Sequence, residues 1–594
     1  MRFSASEKLV RRSGDKTCVA MAKIRKIEIR NFRGIRTLDW LPSPGINCLI
    51  GPGDTGKSTV LDAVDLCLGA RRNIVIADSD FHKLDVEQPI SITLTLGALD
   101  DELLSLDAYG LFHRGMDPNT GVLEDEPRRG LETVLSLNLT VRSDLEAAWT
   151  LQSDRALSQG VERGLSWKDR QRLSPTRIGA LAEQNLAWQR GSVLHRISDE
   201  RADASSALVK AGRDARQTFG TEADKSLCSA LDTVGTTAKE LGVPVGEKPH
   251  AMLDAHSVSI NGGTIALHDH DGIPLRALGV GSTRLLVAGL QRKAAATTTA
   301  VLADEVEYGL EPHRIGHFLI SLGCKEISPP LQAFMTSHSP VVLRELSGAQ
   351  LFVMRRGPTA HTVQAAGTGD DVQSTLRSFP EAFLAPRIVV CEGSSEVGLL
   401  RGLDQHCVAK GWDTLASKGV AFVDSGGGTP DKAYARAMVF QNLGYKVLVL
   451  RDDDEKPTPA VETVFMEQGG KFMTWSDGFA LEDELFASAP VSCVQKMLAY
   501  AIELHGQQRI EGHLTNIAGD STAYAKVSLQ VATNSLSDES RTLLGRASRI
   551  RKAGWFKSIS WMEAVARDML FPDWQSLRPA FQQQFVRLHG WANG

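Results

Sequence analysis

Two groups of residues in this chain are of the types, and at the spacings, that handle phosphate chemistry. The first is Gly51-Pro52-Gly53-Asp54-Thr55-Gly56-Lys57-Ser58, followed by Thr59, which fits the pattern G-x-x-x-x-G-K-[ST]. A triphosphate needs closely approaching backbone N–H groups, a helix N-terminus, a lysine and a hydroxyl for Mg²⁺, and Gly51, Gly56, Lys57 and Ser58 supply these in order. The apolar run Val301–Ala303 ends in Asp304-Glu305. Such a pair would hold Mg²⁺ through Asp304 and orient an attacking water through Glu305. The second group is Glu392 directly after the run Ile388–Cys391, Glu396 one helical turn further on, and Asp452-Asp453-Asp454 after the run Lys446–Leu450. In a parallel sheet, ligands collect beyond the carboxyl ends of strands, so acids far apart in sequence can converge there. Clustered carboxylates repel one another until Mg²⁺ or Mn²⁺ arrives, and two such ions can stabilise both oxygens exchanged in phosphodiester cleavage.

The elements that must position these residues show in the hydrophobic patterning. Lys23–Ile29 alternates as a half-exposed strand does, Ile46–Ile50 is a short buried strand ending on Gly51, and Ser58–Leu68 has helical spacing. Strand, glycine loop and helix is the setting a phosphate-binding loop requires. Pro89–Leu96 and Val134–Val141 alternate as antiparallel strands, and Phe334–Thr336 runs into Ser337-His338-Ser339-Pro340. Residues 155–240 are rich in Arg, Ala and Gln and predict a helical insertion, either for dimerisation or as a solvated hairpin, without the sustained heptads of a long coiled coil. A strand is expected at Ser257–Leu267, a turn at Asp271-Gly272, and a helix opening at Leu278–Ser282. His268, Asp269 and His270 fit alternate positions of an exposed hairpin better than a metal site. After Pro380 and Pro386, strand and helix patterns alternate through Val420–Val423 and Phe472–Thr474, which implies a separate parallel α/β domain, and from Val491 the chain turns helical and basic.

With 594 residues, two large domains are expected. The reading divides the chain into an extension at 1–20, an ATPase domain at 21–154 and 241–378, the insertion at 155–240, a parallel α/β core at 379–490 and a helical part at 491–594. Residues 1–20 are patternless and Met21 stands directly before a strand pattern, so the first twenty are read as an over-long start or a disordered extension. The formal net charge of −5 argues against wholesale coating of nucleic acid and leaves room for a local basic face. The eight cysteines form no C-x-x-C pair and no zinc spacing, and several fall within apolar patterns as reduced, buried thiols would. No stretch reaches the roughly 20 apolar residues of a membrane span, and no signal-peptide core precedes the first strand, so a cytoplasmic protein is expected.

Asn31-Phe32-Arg33-Gly34, the Gly51–Ser58 loop, Leu278-Gly279-Val280-Gly281-Ser282, Asp304-Glu305 and His338 resemble the motifs of the ATP-binding-cassette ATPases of the RecF and SMC group. That resemblance implies an ATP site drawn from Asn31, Arg33, Gly51, Gly53, Asp54, Thr55, Gly56, Lys57, Ser58, Thr59, Asp304, Glu305 and His338. It also implies a dimer in which Gly279, Gly281 and Ser282 of one subunit cap the ATP of the other. Cys391-Glu392-Gly393-Ser394-Ser395-Glu396 together with Asp452-Asp453-Asp454 resembles a Toprim domain. A Toprim domain after such an ATPase is the arrangement of the OLD (overcoming lysogenization defect) family of nucleases, which includes the nuclease subunit of the Gabija phage-defence system. The likeness runs from Met21 over nearly the whole chain. It implies Glu482, with Glu484 as its substitute, as a further metal carboxylate, and Lys557 as a catalytic lysine that neutralises charge on the phosphate.

The chain also departs from that pattern. Gly53 stands where relatives usually carry Asn, and Asp304-Glu305-Val306-Glu307 where they carry E-E-P-E, which predicts slow ATP turnover. Arg541, Arg546, Arg549, Arg551 and Lys552 precede Lys557 and form either a sequence-tolerant grip on DNA phosphates or a solvated helix face. The expected function is a dimeric or higher-oligomeric, ATP-binding, Mg²⁺- or Mn²⁺-dependent DNA endonuclease in phage defence or repair. A helicase partner of the UvrD type is implied by the likeness alone. The competing functions are an RNA-cleaving, including tRNA-cleaving, defence nuclease and a non-catalytic ATPase that clamps DNA.

Overall fold

A computed structural model describes residues 22–71, 73–179, 182–186, 192–194, 201–240, 249–251, 267–294 and 299–594. The extension at 1–20 and the strand expected at Ser257–Leu267, except for Leu267 itself, lie outside the described residues. The chain divides into two compact units, one of residues 1–49, 56–337 and 357–362, the other of residues 50–55, 338–356 and 363–594.

In the first unit an antiparallel group comprises β1 (Lys23–Phe32), β2 (Ile35–Trp40), β4 (Ile90–Gly97) and β7 (Glu132–Val141), with β5 (Arg114–Met116) and β8 (Ala147–Gln152) beside β7 and β6 (Leu123–Glu124) beside β5; β3 (Ile46–Ile50) belongs to a second group. Ile24, Ile27 and Ile29 of β1 are all fully buried, although Ile24 and Ile27 are an odd number of residues apart. A bulge between Ile24 and Lys26 resets the register and returns both side chains to one face. The second group is parallel, in the order β3, β11 (Ala333–Thr336), β10 (Val301–Ala303), β9 (Thr176–Ile178). Its strands are short and mostly apolar, with Asn47, Thr176 and Thr336 as buried polar exceptions. They end at Asp304, Ser337 and the phosphate loop, so the polar residues gather at their carboxyl ends.

The region 155–240 differs from the expected helical insertion at its start. Short helices at Asp154–Ser158 and Trp167–Leu173 lead into β9, which pairs in parallel with β10; among the described residues of the region, the long helices are Arg201–Ser226 and Cys228–Glu240. Three residues cannot display a strand period, so composition alone misreads β9 as part of the helices. Two further strands, β12 (Leu351–Arg356) and β13 (His361–Ala365), precede the second sheet.

That second sheet has four parallel strands in the order β15 (Val420–Asp424), β14 (Arg387–Cys391), β16 (Lys446–Arg451), β17 (Lys471–Thr474). Ile388, Val389, Val390 and Cys391 are fully buried, as a central parallel strand demands. The helix Ser394–Lys410 packs against Ile559–Ala564 through glycines. A Cβ on Gly398 would lie 2.5 Å from the Ile559 carbonyl oxygen, and one on Gly402 would lie 2.5 Å from the Ala566 Cβ. This close approach brings the segment before Ile559, which carries Lys557, to the helix that carries Glu396. Trp555 and Phe556, both fully buried, and the helices from Val491 onward complete the core of this unit.

Candidate functional site: an ATP site and a carboxylate cluster

The phosphate loop joins β3 to the helix Lys57–Leu68. Gly51 sits at φ +130°, and a Cβ there would lie 2.6 Å from the Met354 carbonyl oxygen, so the position admits only glycine. Gly56 is left-handed (φ 87°) at the helix N-cap, and Asp54 is also left-handed (φ 57°). A Cβ at Gly53 would meet nothing within 4 Å, so no steric reason forces glycine there. Thr55 Oγ1 donates to the Pro52 carbonyl at 3.0 Å and closes the loop, while Lys57 is buried and Thr59 follows Ser58 in the first helical turn.

Asp304 lies at the end of β10 with one carboxylate oxygen accepting from Ser58 Oγ at 2.9 Å and from Thr336 Oγ1 at 2.6 Å. Two hydroxyls and a carboxylate on three separate elements form a hard, all-oxygen donor set of the kind Mg²⁺ takes. Glu305 is exposed, its backbone is left-handed (φ 45°), and its N–H donates to Thr336 Oγ1 at 2.8 Å. A non-glycine residue in that conformation costs about 1–3 kcal/mol and persists where its surroundings fix it. Arg284 supplies part of the fixing: fully buried in the helix Val280–Lys293, it donates to the carbonyls of Asp304 (2.8 Å), Glu305 (2.9 Å) and Tyr308 (2.6 Å). That helix starts at the expected signature residues. Gly279 is its N-cap, Gly281 packs so tightly that a Cβ would lie 2.0 Å from the Gly309 carbonyl oxygen, and Ser282 Oγ accepts from Arg314 at 3.0 Å. His338 is exposed directly after β11.

Asn31 and Arg33 are engaged in structural contacts. Both have positive φ; the Asn31 amide donates to the carbonyls of Asp85 (3.1 Å) and Gln88, and Arg33 pairs with Asp62 and with Asp80 (2.8 Å). Thr336 and Arg284 escaped the motif analysis, although each lies within two residues of a motif residue. Arg177 escaped it altogether. Its guanidinium reaches Asp62 at 2.5 Å and Asp304 at 3.5 Å.

In the second unit Glu392 follows β14 and Asp452 follows β16, the two neighbouring central strands. Glu392 Oε2 accepts the Asp452 backbone N–H at 3.0 Å, Glu396 Oε2 accepts that of Gly393 at 2.9 Å, and Asp452 Oδ1 accepts that of Leu481 at 2.8 Å. Glu482, 1% exposed, has a buried carboxylate oxygen that pairs with Lys557 Nζ at 3.3 Å. Burial pushes Glu392 up to about 7, with Asp454 and Glu455 adding to it against the Asp452 N–H. Burial also pushes Glu396 up to about 7, with help from Glu482 and Glu392. Asp452 is driven well above the usual carboxylate range by burial and the fields of Glu396, Glu482 and Glu392. For Lys557, burial opposes the charged form, but Glu482, Asp452 and Glu396 outweigh it and hold the ammonium above its ordinary value. One lysine among four acids, Glu396 and Glu482 buried and Glu392 and Asp452 half-buried, does not balance their charge.

Other expected members point elsewhere. Glu484 accepts from the Ser476 N–H (3.0 Å) and from Ser488 Oγ (2.8 Å), so its carboxylate serves its own helix and the preceding turn. Asp454 is paired with Arg549, whose Nε lies 3.1 Å from Asp483 Oδ2; Arg549, expected on DNA, is thus tied into the acidic loop. Arg541 donates to the carbonyls of Phe486 and Ala489 and closes a helix end. Arg546, Arg551 and Lys552 are exposed. Asp453 bonds Arg451 (3.3 Å) and Lys456 (2.6 Å) and holds the loop in shape between its two neighbours. Among the described residues, no three His, Cys, Asp or Glu side chains are arranged to hold a metal ion as they stand. The chemistry of the donor set still fits one, because clustered acids with raised pKa values and a single lysine among them are what a divalent cation relieves.

Residues 46–344, just over half of the chain, match the family model described as "AAA domain, putative AbiEii toxin, Type IV TA system". The chain belongs to that family, and residues 46–344, which include the phosphate-binding loop, form an ATPase domain. A stretch of 75 residues is 33% identical to a protein named OLD nuclease from Thermus scotoductus, covering 12% of this chain and 14% of that one. The chain therefore matches only a small part of the length of that relative. Among solved structures, an SMC head bound to the C-terminal winged-helix domain of ScpA has a TM-score of 0.32 at 12% identity, over 57% of this chain and 96% of the other. The SMC head domain from Thermotoga maritima has a TM-score of 0.26 at 12% identity, over 58% and 98%. No helix among the described residues is long and apolar enough to cross a membrane.

Proposed function

We propose that the chain is an ATP-binding, metal-dependent endonuclease of double-stranded DNA, with the second unit acting as a Toprim nuclease in the manner of the OLD family. The observation that carries this proposal is the meeting of Glu392, Glu396, Asp452 and Glu482 at the carboxyl ends of β14 and β16 with Lys557 as their cation. Those four acids, joined by Asp454, would hold Mg²⁺ or Mn²⁺, which supplies charge neutralisation at the phosphate and at the attacking and leaving oxygens. The protein's own part is positional. The Asp452 and Leu481 N–H groups aim the carboxylates of Glu392 and Asp452, and Lys557, held at Glu482, would present its ammonium to a phosphate oxygen. Arg551 and Lys552 offer exposed charge to the DNA backbone without reading bases. The reading places the protein in phage defence or repair as a homodimer, with ATP binding regulating cleavage.

The test is plasmid cleavage by the full chain with Mg²⁺, Mn²⁺ or Ca²⁺, with and without ATP, beside a matched RNA substrate. Nicking or linearisation that needs Mg²⁺ or Mn²⁺ and is lost in Asp452→Ala supports the proposal. Cleavage confined to RNA would replace the substrate, and a wholly inert chain that still binds DNA would leave only a clamping ATPase.

A further inference from the structure

We infer that Arg177 is a positioning residue of the ATP site, supplying the positive charge that Asp304 keeps when Mg²⁺ is absent, so that it governs how strongly ATP binding depends on the ion. Nothing in the motif content of the chain marks Arg177. Its place comes from β9, whose parallel register sets Arg177 opposite Leu302, two residues before Asp304. From there Nη1 lies 2.5 Å from Asp62 and 3.8 Å from Asp65, and Nη2 lies 3.5 Å from Asp304 Oδ2.

The two oxygens of Asp304 are thus used differently. Oδ1 takes the neutral hydroxyls of Ser58 and Thr336, while Oδ2 faces the guanidinium. Asp62 and Asp65 lie on the helix that begins at Lys57, so Arg177 ties the phosphate-loop helix to the acid at the end of β10. The surroundings are acidic: Asp62, Asp65, Asp80 and Asp304 stand against Arg33, Arg71 and Arg177. Removing Arg177 takes the guanidinium away from Asp304 Oδ2, beside the place where Lys57 and Ser58 receive phosphate, and leaves that acid only partly compensated, by the field of Arg284. An Mg²⁺ ion would neutralise Asp304 itself, so the loss of Arg177 matters most without it. A lysine keeps the charge but not the fork that spans Asp62 and Asp304 together.

The experiment is a fluorescent-nucleotide titration of the full chain as wild type, R177Q, R177K and R177Q/D304N, each in EDTA and in excess Mg²⁺. R177Q should weaken Mg²⁺-free ATP binding on the order of tenfold, the effect of one unpaired charge in a partly solvated site, and should change Mg²⁺-ATP binding by no more than about twofold. R177K should fall between, and adding D304N to R177Q should restore Mg²⁺-free binding. A purely structural role would weaken binding equally in both conditions, and that result, or no change in either, overturns the inference. Should R177Q fail to fold, R177K and D304N carry the same test: D304N must tighten Mg²⁺-free binding more in the R177K background than in the wild type, and equal effects refute the coupling.

Discussion

Replacing Glu396 with glutamine should make the metal-free protein more stable at pH 8 while abolishing its response to divalent cations. Glu396 is 3% exposed, and its carboxyl is pushed to about 7 by burial and by Glu482 and Glu392. Its unfolded value lies near 4.5. An acid whose folded pKa is raised contributes stability that is fully present below about pH 4.5 and is lost as pH rises through about 7. At pH 8 the shift corresponds to about 3 kcal/mol against folding. Glutamine keeps the acceptor that caps the Gly393 N–H and carries no charge to bury. Allowing for the attraction that Lys557 loses, the variant should gain about 2–3 kcal/mol at pH 8, or about 5–10 °C in the melting of its unit. At pH 5 the gain should fall below about 1 kcal/mol. Scanning calorimetry at both pH values, with EDTA and then with Mn²⁺, measures this directly. Mn²⁺ at about 100 times its dissociation constant should stabilise the wild type by about 2.7 kcal/mol and the variant hardly at all. If the variant is less stable than the wild type by the same amount at both pH values, Glu396 carries no electrostatic strain and the argument for a cation there collapses.

The two sites should also separate by mutation, as Lys57→Ala is expected to abolish ATP binding in an equilibrium titration and retain Mn²⁺-dependent nicking, while Asp452→Ala does the reverse. Loss of ATP binding in both variants would show that the sites are not independent. A methyl group at Gly554 would meet Lys557 Cγ at 2.5 Å and Cε at 2.9 Å, so Gly554→Ala should move the ammonium away from Glu482 and lower cleavage about tenfold or more with unchanged Mn²⁺ affinity. Gly402→Leu, forced against Ala566 and the Glu563 carbonyl, should destabilise the second unit by about 1–3 kcal/mol or more, read as a lower urea midpoint with ATP binding intact.

The phosphate loop and the pair Glu392 and Asp452 were legible because each rests on a local pattern, an apolar run that stops at glycine or at an acid. The residues that were missed depend on contacts between distant segments. Arg177 sits on a three-residue strand that has no period to detect, and Arg284 looks like any helical arginine until Asp304, Glu305 and Tyr308 turn their carbonyls toward it. Glu484 could have been set aside from sequence. Two residues after Glu482 on one helix, it points nearly to the opposite side, so the two carboxylates cannot share a pocket. The basic run before Lys557 reads as one surface, yet Arg541 and Arg549 spend their charge inside the fold and leave only Arg546, Arg551 and Lys552 outward.

The two units meet the same difficulty by the same means. Each sets an aspartate at the end of a parallel strand, in a place that a divalent cation would neutralise, and each places an arginine on that aspartate: Arg177 on Asp304, Arg549 on Asp454. Each arginine is anchored by a second acid, Asp62 in one case and Asp483 in the other, and so stays near the site whether or not a cation arrives. Asp483 is 8% exposed, and the helix bearing Arg549 approaches it closely because Gly545 has no Cβ, which would lie 2.7 Å from its carboxylate. Carboxylate sites of this kind are costly to keep folded and empty, and paired arginines lower that cost at the expense of competing with the ion. Burial raises the pKa of Asp483 against the pull of Arg549, and it does so too for the acids that no arginine pairs, Glu392, Glu396 and Asp452. Cation binding should therefore begin with these three and Glu482, and reach Asp454 only as Arg549 withdraws.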